Sequence, residues 1–372
     1  MFAETFRKKT VWLSGHTGFK GAWLAQWLLK LGANIHGLAL EPATKPALFN
    51  QLGLAKQLHH QIADVRDAGA VAKSIHTAQP DFVFHLAAQP LVRTSYEQPV
   101  ETYATNVMGT IQVLEALRGL NKPCAAVLVT TDKCYENREW FYGYREEDPL
   151  GGHDPYSSSK AAAEIAIAAW RRSFFQNHPV KIASARAGNV IGGGDWAKDR
   201  IVPDCIRALQ KKQTITVRNP NSTRPWQHVL DPLSGYLGLA AKLTEPATNS
   251  AQRASAFNFG PAHESSRTVG ELADEVLKHW PGRWENKSDT GAVHEARLLQ
   301  LATDKAHALL GWSPVWNFSN AIKHTVEWYR QEHENPGQTA VNKMTSDQIS
   351  DYCAAARKLK MPWALDLSLI HI

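Results

Sequence analysis

Thr10-Val11-Trp12-Leu13-Ser14-Gly15-His16-Thr17-Gly18-Phe19-Lys20-Gly21 sets an apolar run directly before a GxxGxxG loop. The run reads as a buried strand. Beyond the loop, Trp23, Leu24, Trp27, Leu28 and Leu31 recur at the spacing of one helical face. In such a strand–loop–helix unit, Gly15, Gly18 and Gly21 let the backbone turn sharply and approach a diphosphate. The helix N-terminus then offers N–H groups and a positive dipole end to that anion. The stretch predicts a dinucleotide-binding unit, with His16, Phe19 and Lys20 in the same loop and Lys20 able to pair with a cofactor phosphate.

Working outward, short apolar runs at 35–40, 82–86, 125–129 and 182–185 alternate with long helical patterns near 99–118 and 156–176. Strands alternating with helices predict an α/β fold, a Rossmann-type doubly wound parallel sheet. Glu41 stands at the end of the second strand, 20 residues after Gly21. A carboxylate there accepts hydrogen bonds from ribose hydroxyls and repels a 2′-phosphate, so the expected cofactor is NAD rather than NADP. Asp64 and Val65, after the third strand, are expected near the adenine.

After Gly188 the texture changes, with Gly192-Gly193-Gly194, Asn219-Pro220-Asn221 and Arg224-Pro225 punctuating shorter elements. The expected division is a cofactor domain over 1–187, to which 229–260 returns. A smaller α/β substrate lobe takes 188–228 and 261–330, and a tail of unassigned role covers 331–372. In that tail Thr345-x-x-Gln348 matches a capping box and predicts a helix start.

Composition narrows the class. The chain has 372 residues, with 41 Lys and Arg against 35 Asp and Glu, a net charge of +6. Basic residues run to three at most, as Lys8-Lys9 after Arg7, with pairs such as Arg171-Arg172, without the stripe expected of a nucleic-acid binder. Cys124, Cys134, Cys205 and Cys353 form no CxxC pair and no zinc spacing, so no metal is expected. No run approaches the roughly 20 apolar residues of a membrane span. The N-terminus carries no signal-peptide pattern, and a cytoplasmic protein is expected.

Tyr156-Ser157-Ser158-Ser159-Lys160 puts a phenol and an ammonium four residues apart on one helical face. A nearby ammonium favours phenolate, which would lower the tyrosine pKa and let it take a proton from an alcohol. Upstream, Thr130-Thr131-Asp132-Lys133 closes an apolar strand, and Asn106-Val107-Met108-Gly109-Thr110 lies on the preceding helix. From about residue 8 to residue 330 the sequence resembles the extended short-chain dehydrogenase/reductase family. The resemblance implies that Thr131, Tyr156 and Lys160 are the catalytic trio and that Asn106 organises the site. It also implies that Ala87-Ala88-Gln89 lines the cofactor.

Within that family the sequence is similar to nucleotide-sugar 4,6-dehydratases, and to their CDP-glucose-acting subgroup. The carriers are His16-Thr17-Gly18-Phe19-Lys20, Asp132-Lys133, the segment from Gly188 to Trp196, and Arg224-Pro225-Trp226-Gln227-His228-Val229. Most of the wider group carries Asp-Glu where this chain has Asp132-Lys133. The resemblance implies oxidation at C4, loss of water across C5 and C6, and reduction at C6 of one bound sugar, with NAD regenerated.

Asp132 is the expected acid for the departing 6-hydroxyl, provided burial keeps it protonated. Lys133 stands where relatives place a base. An ammonium has no lone pair, so Lys133 acts either with a lowered pKa or as a fixed cation beside an enolate. Asn189, Arg200 and Arg224 fall in segments that hold the nucleotide diphosphate, a task suited to forked guanidinium donors. Arg297, beside Ala296, is a weaker match for a later phosphate contact. The resemblance implies a homodimer through the helices near 99–118 and 156–176. The alternatives are an epimerase or reductase, a dehydratase of another nucleotide sugar, and a non-catalytic dinucleotide sensor.

Overall fold

The computed structural model describes residues 2–246, 250–287 and 298–365. Its centre is a seven-stranded sheet of β1 (Thr10–Ser14), β2 (Asn34–Ala39), β3 (His59–Ile62), β4 (Phe82–His85), β5 (Cys124–Val129), β6 (Val180–Arg186) and β7 (Ala256–Asn258). The spatial order is β7-β6-β5-β4-β1-β2-β3, and every pairing is parallel. This is the expected doubly wound α/β fold. β5 is buried along its whole length, which explains its unbroken apolar sequence. β3, at one edge, is polar at three of its four residues, and β7 has three residues, so neither carries a periodic signal.

The chain runs outward to β3 and then returns through β4 on the other side of β1. That reversal opens a crevice at the carboxyl ends of β1 and β4, where ligands of such sheets bind. The helix Phe19–Lys30 follows β1 and buries Trp23, Leu24, Trp27 and Leu28 against the core. Truncating either tryptophan to alanine costs about 3–5 kcal/mol in sites of this kind. Trp23 also donates its indole N–H to the Gly193 carbonyl at 2.9 Å, tying the glycine-loop helix to the segment after β6.

Three two-stranded pairs lie beside the sheet: Val190–Ile191 with Gln227–His228, Thr223–Pro225 with Ser266–Thr268, and Ile215–Val217 with Trp284–Asn286. Between them the helix Leu230–Thr244 packs back against β5 and β6, and β7 extends the main sheet.

One local expectation is corrected and one refined. The helical stretch near 99–118 is present and carries a π-turn. It runs as Pro99–Tyr103, a π-turn Ala104–Met108 and a helix Gly109–Arg118. In the tail, Thr345 caps nothing. It lies inside the helix Gln338–Lys358, fully buried, and its hydroxyl accepts the Trp328 indole N–H at 3.0 Å. A local capping pattern is outweighed here by burial of the Val341, Met344, Ile349 and Tyr352 face. That helix packs on Phe19–Lys30 and on Phe318–Glu334.

Candidate active site

The glycine loop uses its three glycines differently. Gly15 takes φ +74°, and a Cβ there would lie 2.7 Å from the Ala87 backbone nitrogen. A Cβ on Gly21 would lie 2.1 Å from the Gly15 carbonyl oxygen. Both are demanded by the packing of the loop on itself and on the turn after β4. Gly18 is exposed, and a Cβ there would meet nothing closer than 3.4 Å. The bare face at the helix N-terminus is therefore open toward the crevice, as a diphosphate cradle requires.

The other loop residues turn inward. His16 is fully buried, with Nε2 and His60 Nδ1 2.7 Å apart, and burial, followed by the His60 charge, pushes it down to about 4. Phe19 is half-buried near Gly192. The Lys20 ammonium donates to the Tyr236 hydroxyl at 3.0 Å, on the helix Leu230–Thr244. Burial, then repulsion from Lys160 and Arg200, pushes Lys20 down to about 7, opposed by Asp132. Lys20 thus faces the reaction centre rather than solvent. Glu41 is exposed just beyond β2. Asp64 is gripped by Arg66 at 2.6 Å, and Val65 packs beneath Gly109.

The turn after β4 is organised by side chains. Ser14 Oγ accepts the Leu86 and Ala87 amides at 3.1 and 3.2 Å and lies 2.7 Å from His85 Nδ1. Ala88 follows, half-buried. Asn106, in the π-turn, accepts the Gln89 amide at 2.9 Å. Its own amide donates to the Gln89 carbonyl at 3.2 Å and to Ser159 Oγ at 2.9 Å. The π-turn aims Asn106 at both segments, and such turns recur at functional sites.

Thr131, Asp132 and Tyr156 form one cluster at the carboxyl end of β5. The Thr131 hydroxyl donates to Asp132 Oδ1 at 3.0 Å and also bonds the Tyr156 phenol. Asn189, at φ +49°, donates its amide to Asp132 Oδ2 at 3.1 Å. Gly188 makes room for this contact, since a Cβ there would fall 2.0 Å from Asp132. Tyr156 starts the helix Pro155–Phe174, capped by Asp154, whose Oδ1 accepts the Ser157 amide at 2.9 Å.

Burial pushes the Tyr156 phenol up to about 12, with the Thr131 bond and the Arg200 charge pulling it down. This differs from the lowering expected from Lys160. The Lys160 ammonium reaches across to the Val129 carbonyl at 3.4 Å, and burial pushes it down to about 8 against the pull of Glu164. Lys133 is half-buried beside this cluster in sequence. Arg200 is bound by Asp195 at 2.8 Å. Burial lowers its basicity, but Asp195 outweighs burial and the net shift is upward.

Arg224 stands on the lobe strand Thr223–Pro225, donating to the Thr223 carbonyl at 2.9 Å. Arg297 and Ala296 lie outside the described residues. Trp196 and Trp226 serve the packing, their indole N–H groups bonding Gln51 and the Arg267 carbonyl.

The sequence reading missed Ser14, His85 and Tyr236, which stand far in the chain from residues they contact, and Asp195, five positions before Arg200. It also missed Glu164 and Arg186. Glu164 had a legible signal: it sits one helical turn beyond Lys160.

A phenol, a hydroxyl, a carboxylate and three cations converging at the crevice can move protons on and off a polyol. Known proteins match the chain in sequence and fold. Residues 13–325 match a family model described as GDP-mannose 4,6 dehydratase. The CDP-glucose 4,6-dehydratase of Salmonella typhimurium is 45% identical, covering 94% of this chain and 98% of its own. A probable dTDP-glucose 4,6-dehydratase of Sinorhizobium fredii is 28% identical, covering 85% of this chain and 91% of its own. Among solved structures, the dTDP-glucose 4,6-dehydratase of Bacillus anthracis in complex with NAD superposes with a TM-score of 0.71 at 19% identity. It covers 89% of this chain and 99% of its own. On the family match and the near full-length relative, the chain belongs to the GDP-mannose 4,6 dehydratase family of extended short-chain dehydrogenases/reductases.

Proposed function

We propose that the chain is an NAD-dependent hydro-lyase that converts CDP-glucose to CDP-4-keto-6-deoxyglucose. The observation that carries the reading is the 45% identity to a CDP-glucose 4,6-dehydratase along 98% of that enzyme. The glycine cradle fits the cofactor: the Cβ-free face at Gly18 and the backbone turn held by Gly15 and Gly21 leave room for a diphosphate. Glu41, Asp64, Val65, Ala87, Ala88, Gln89 and Asn106 would line the rest of the cofactor site. NAD, when bound, supplies a reversible hydride acceptor, so the sugar is oxidised and later reduced without net redox change.

The chain's own residues handle the protons. Tyr156 takes the proton of the sugar 4-hydroxyl, while the Thr131 hydroxyl, already bonded to the phenol, holds the same oxygen. A base raised to about 12 is a strong acceptor once ionised, and a cation near the phenol makes ionisation easier. The 4-keto group acidifies C5. Asp132, buried between Thr131 and Asn189, gives a proton to the departing 6-hydroxyl. Lys133 acts in the same elimination, at the C5 proton or as a cation beside the enolate. Asn189, Arg200 and Arg224 hold the nucleotide diphosphate. The cofactor domain over 1–187 and the lobe over 188–228 and 261–330 enclose the site between them.

A homodimer is the proposed assembly. Val100, Tyr103, Met108 and Ile165 expose 74, 40, 47 and 58% of their surface on the segments 99–118 and 156–176, an apolar patch of the kind that marks protein contacts. Among the described residues no helix is long and apolar enough to cross a membrane. Turnover of CDP-glucose against dTDP-, GDP- and UDP-sugars, with and without added NAD, tests the function. Formation of a 4-keto-6-deoxy product from CDP-glucose alone is expected. Preference for another nucleotide overturns the substrate, and epimerisation without loss of water overturns the reaction.

A further inference from the structure

Beneath the Thr131–Tyr156–Lys160 cluster lies a buried ion pair. Glu164 and Arg186 meet at 2.8 Å with side chains 2 and 4% exposed. Every oxygen of the Glu164 carboxylate is used. Thr130 Oγ1 donates to Oε1 at 2.5 Å, and Ser184 Oγ and Arg186 Nη2 donate to Oε2, each at 2.8 Å. Arg186 carries the network onward to the Tyr135 hydroxyl at 2.7 Å and the Glu146 carbonyl at 3.0 Å, and Tyr135 donates to Asn258 at 2.7 Å.

A buried ion pair is weak evidence for stability, because desolvating two charges offsets much of their attraction. This one is placed where its charge matters. Glu164 is one helical turn from Lys160, and its carboxylate bonds the residue immediately before Thr131. It therefore touches both segments that supply the reaction's side chains. The groups facing Lys160 are Glu164 on its own helix, Cys134 after β5, His85 at the end of β4 and Lys20 from the glycine loop. Of these, Glu164 is the carboxylate, and Arg186 with its hydroxyl donors keeps it ionised, below the usual carboxylate range against the effect of burial.

We propose that Glu164 is a positioning residue of the reaction: its carboxylate holds Lys160 as an ammonium and fixes the end of β5 on which Thr131 stands. The inference rests on the proposed dehydratase chemistry for its kinetic consequence, but not for the charge state of Lys160. A purely structural role would lower activity equally at every pH. An electrostatic one moves the alkaline limb of the rate profile, since burial alone depresses a lysine.

Glu164→Gln keeps the shape of the side chain and removes its charge. The alkaline limb of kcat is expected to move down by about one pH unit, so that activity falls roughly ten-fold near pH 8.5 and much less near pH 6.5. Thr130→Val, which removes a hydrogen bond and no charge, is expected to lower kcat without moving the limb. If Glu164→Gln does not fold, Glu164→Gln/Arg186→Met removes both charges together, a change that buried pairs tolerate better than loss of one partner. It is expected to show a smaller shift in the same direction, because loss of the Arg186 cation partly offsets loss of the carboxylate. The 13Cε signal of labelled Lys160, assigned with Lys160→Arg, reads the titration without turnover. An unmoved Lys160 titration in the folded variant, or an equal shift in Thr130→Val, overturns the proposal. Failure of the native enzyme to convert any nucleotide sugar overturns the functional reading and leaves the NMR result to decide this one.

Discussion

Asn189 donates its side-chain amide to Oδ2 of Asp132 at 3.1 Å, from a left-handed backbone conformation at φ +49°. The two residues are 57 positions apart, and the contact joins the end of β5 to the segment that follows β6. It aims the Asp132 carboxyl into the crevice beside Thr131 and Tyr156. Asp132→Asn keeps the shape and removes the proposed acid, so kcat is expected to fall by about 10²–10⁴, the usual worth of a general acid. Asn189→Ala leaves the carboxyl in place but unaimed and is expected to lose less, about ten-fold. Steady-state kinetics with wash-in of solvent deuterium at C5 separates the two. Exchange persisting in Asp132→Asn is the expected mark of a lesion confined to loss of the 6-hydroxyl.

The glycines predict opposite outcomes for the same substitution. Gly21→Ala drives a methyl to 2.1 Å from the Gly15 carbonyl oxygen, a backbone clash, and is expected to lower the thermal midpoint sharply. Gly18→Ala meets nothing closer than 3.4 Å and should melt near the native temperature. Its methyl occupies the open face at the helix N-terminus, so NAD binding, followed by calorimetry, is expected to weaken ten-fold or more, about 1.4 kcal/mol. Unchanged NAD affinity in Gly18→Ala contradicts the diphosphate cradle.

Asp231 links the helix Leu230–Thr244 to the C-terminal helix. Its Oδ1 accepts the Val315 amide at 2.7 Å and the Tyr352 hydroxyl at 2.9 Å, while Oδ2 is buried without a partner. Burial pushes its carboxyl up to about 7, above the ordinary 3.8. The folded state thus binds this proton more tightly than the unfolded chain. The stability it contributes is fully present below about pH 4 and is lost as pH rises toward 7. Asp231→Asn retains the Oδ1 acceptor and removes the titration. It is expected to gain on the order of 2 kcal/mol at pH 8 and nothing at pH 4, read by denaturant unfolding at both.

Lys20 gives the opposite slope. Burial first, then Lys160 and Arg200, lower it to about 7, so the fold disfavours its ammonium. The destabilisation is present below pH 7 and is relieved as pH rises toward the ordinary lysine value of 10.5. Lys20→Met is therefore expected to raise the thermal midpoint at pH 6 more than at pH 9. A uniform rise across that range would place the amine in solvent rather than against Tyr236.

How much of this was legible before folding depends on whether the signal is local. The glycine loop, the Tyr156/Lys160 spacing and the apolar strands β1, β4, β5 and β6 each announce themselves within a dozen residues, because backbone turns and helical faces are short-range properties. The polar edge strand β3 and the short β7 gave no such period. Thr345-x-x-Gln348 was locally a helix start, yet the burial of Tyr352 and its neighbours carried the helix back through it to Gln338.

The chain's order of residues thus determined the α/β class, the dinucleotide loop and the side chains proposed for proton transfer. Tertiary structure alone decided what each of those groups is like. The fold buries Tyr156 and raises it to about 12, seats Lys20 against Tyr236, and sets Asn189 on Asp132. It also places the Glu164–Arg186 pair under Lys160. Basicity depends on desolvation and on charges brought near through space, and neither is a function of separation along the chain.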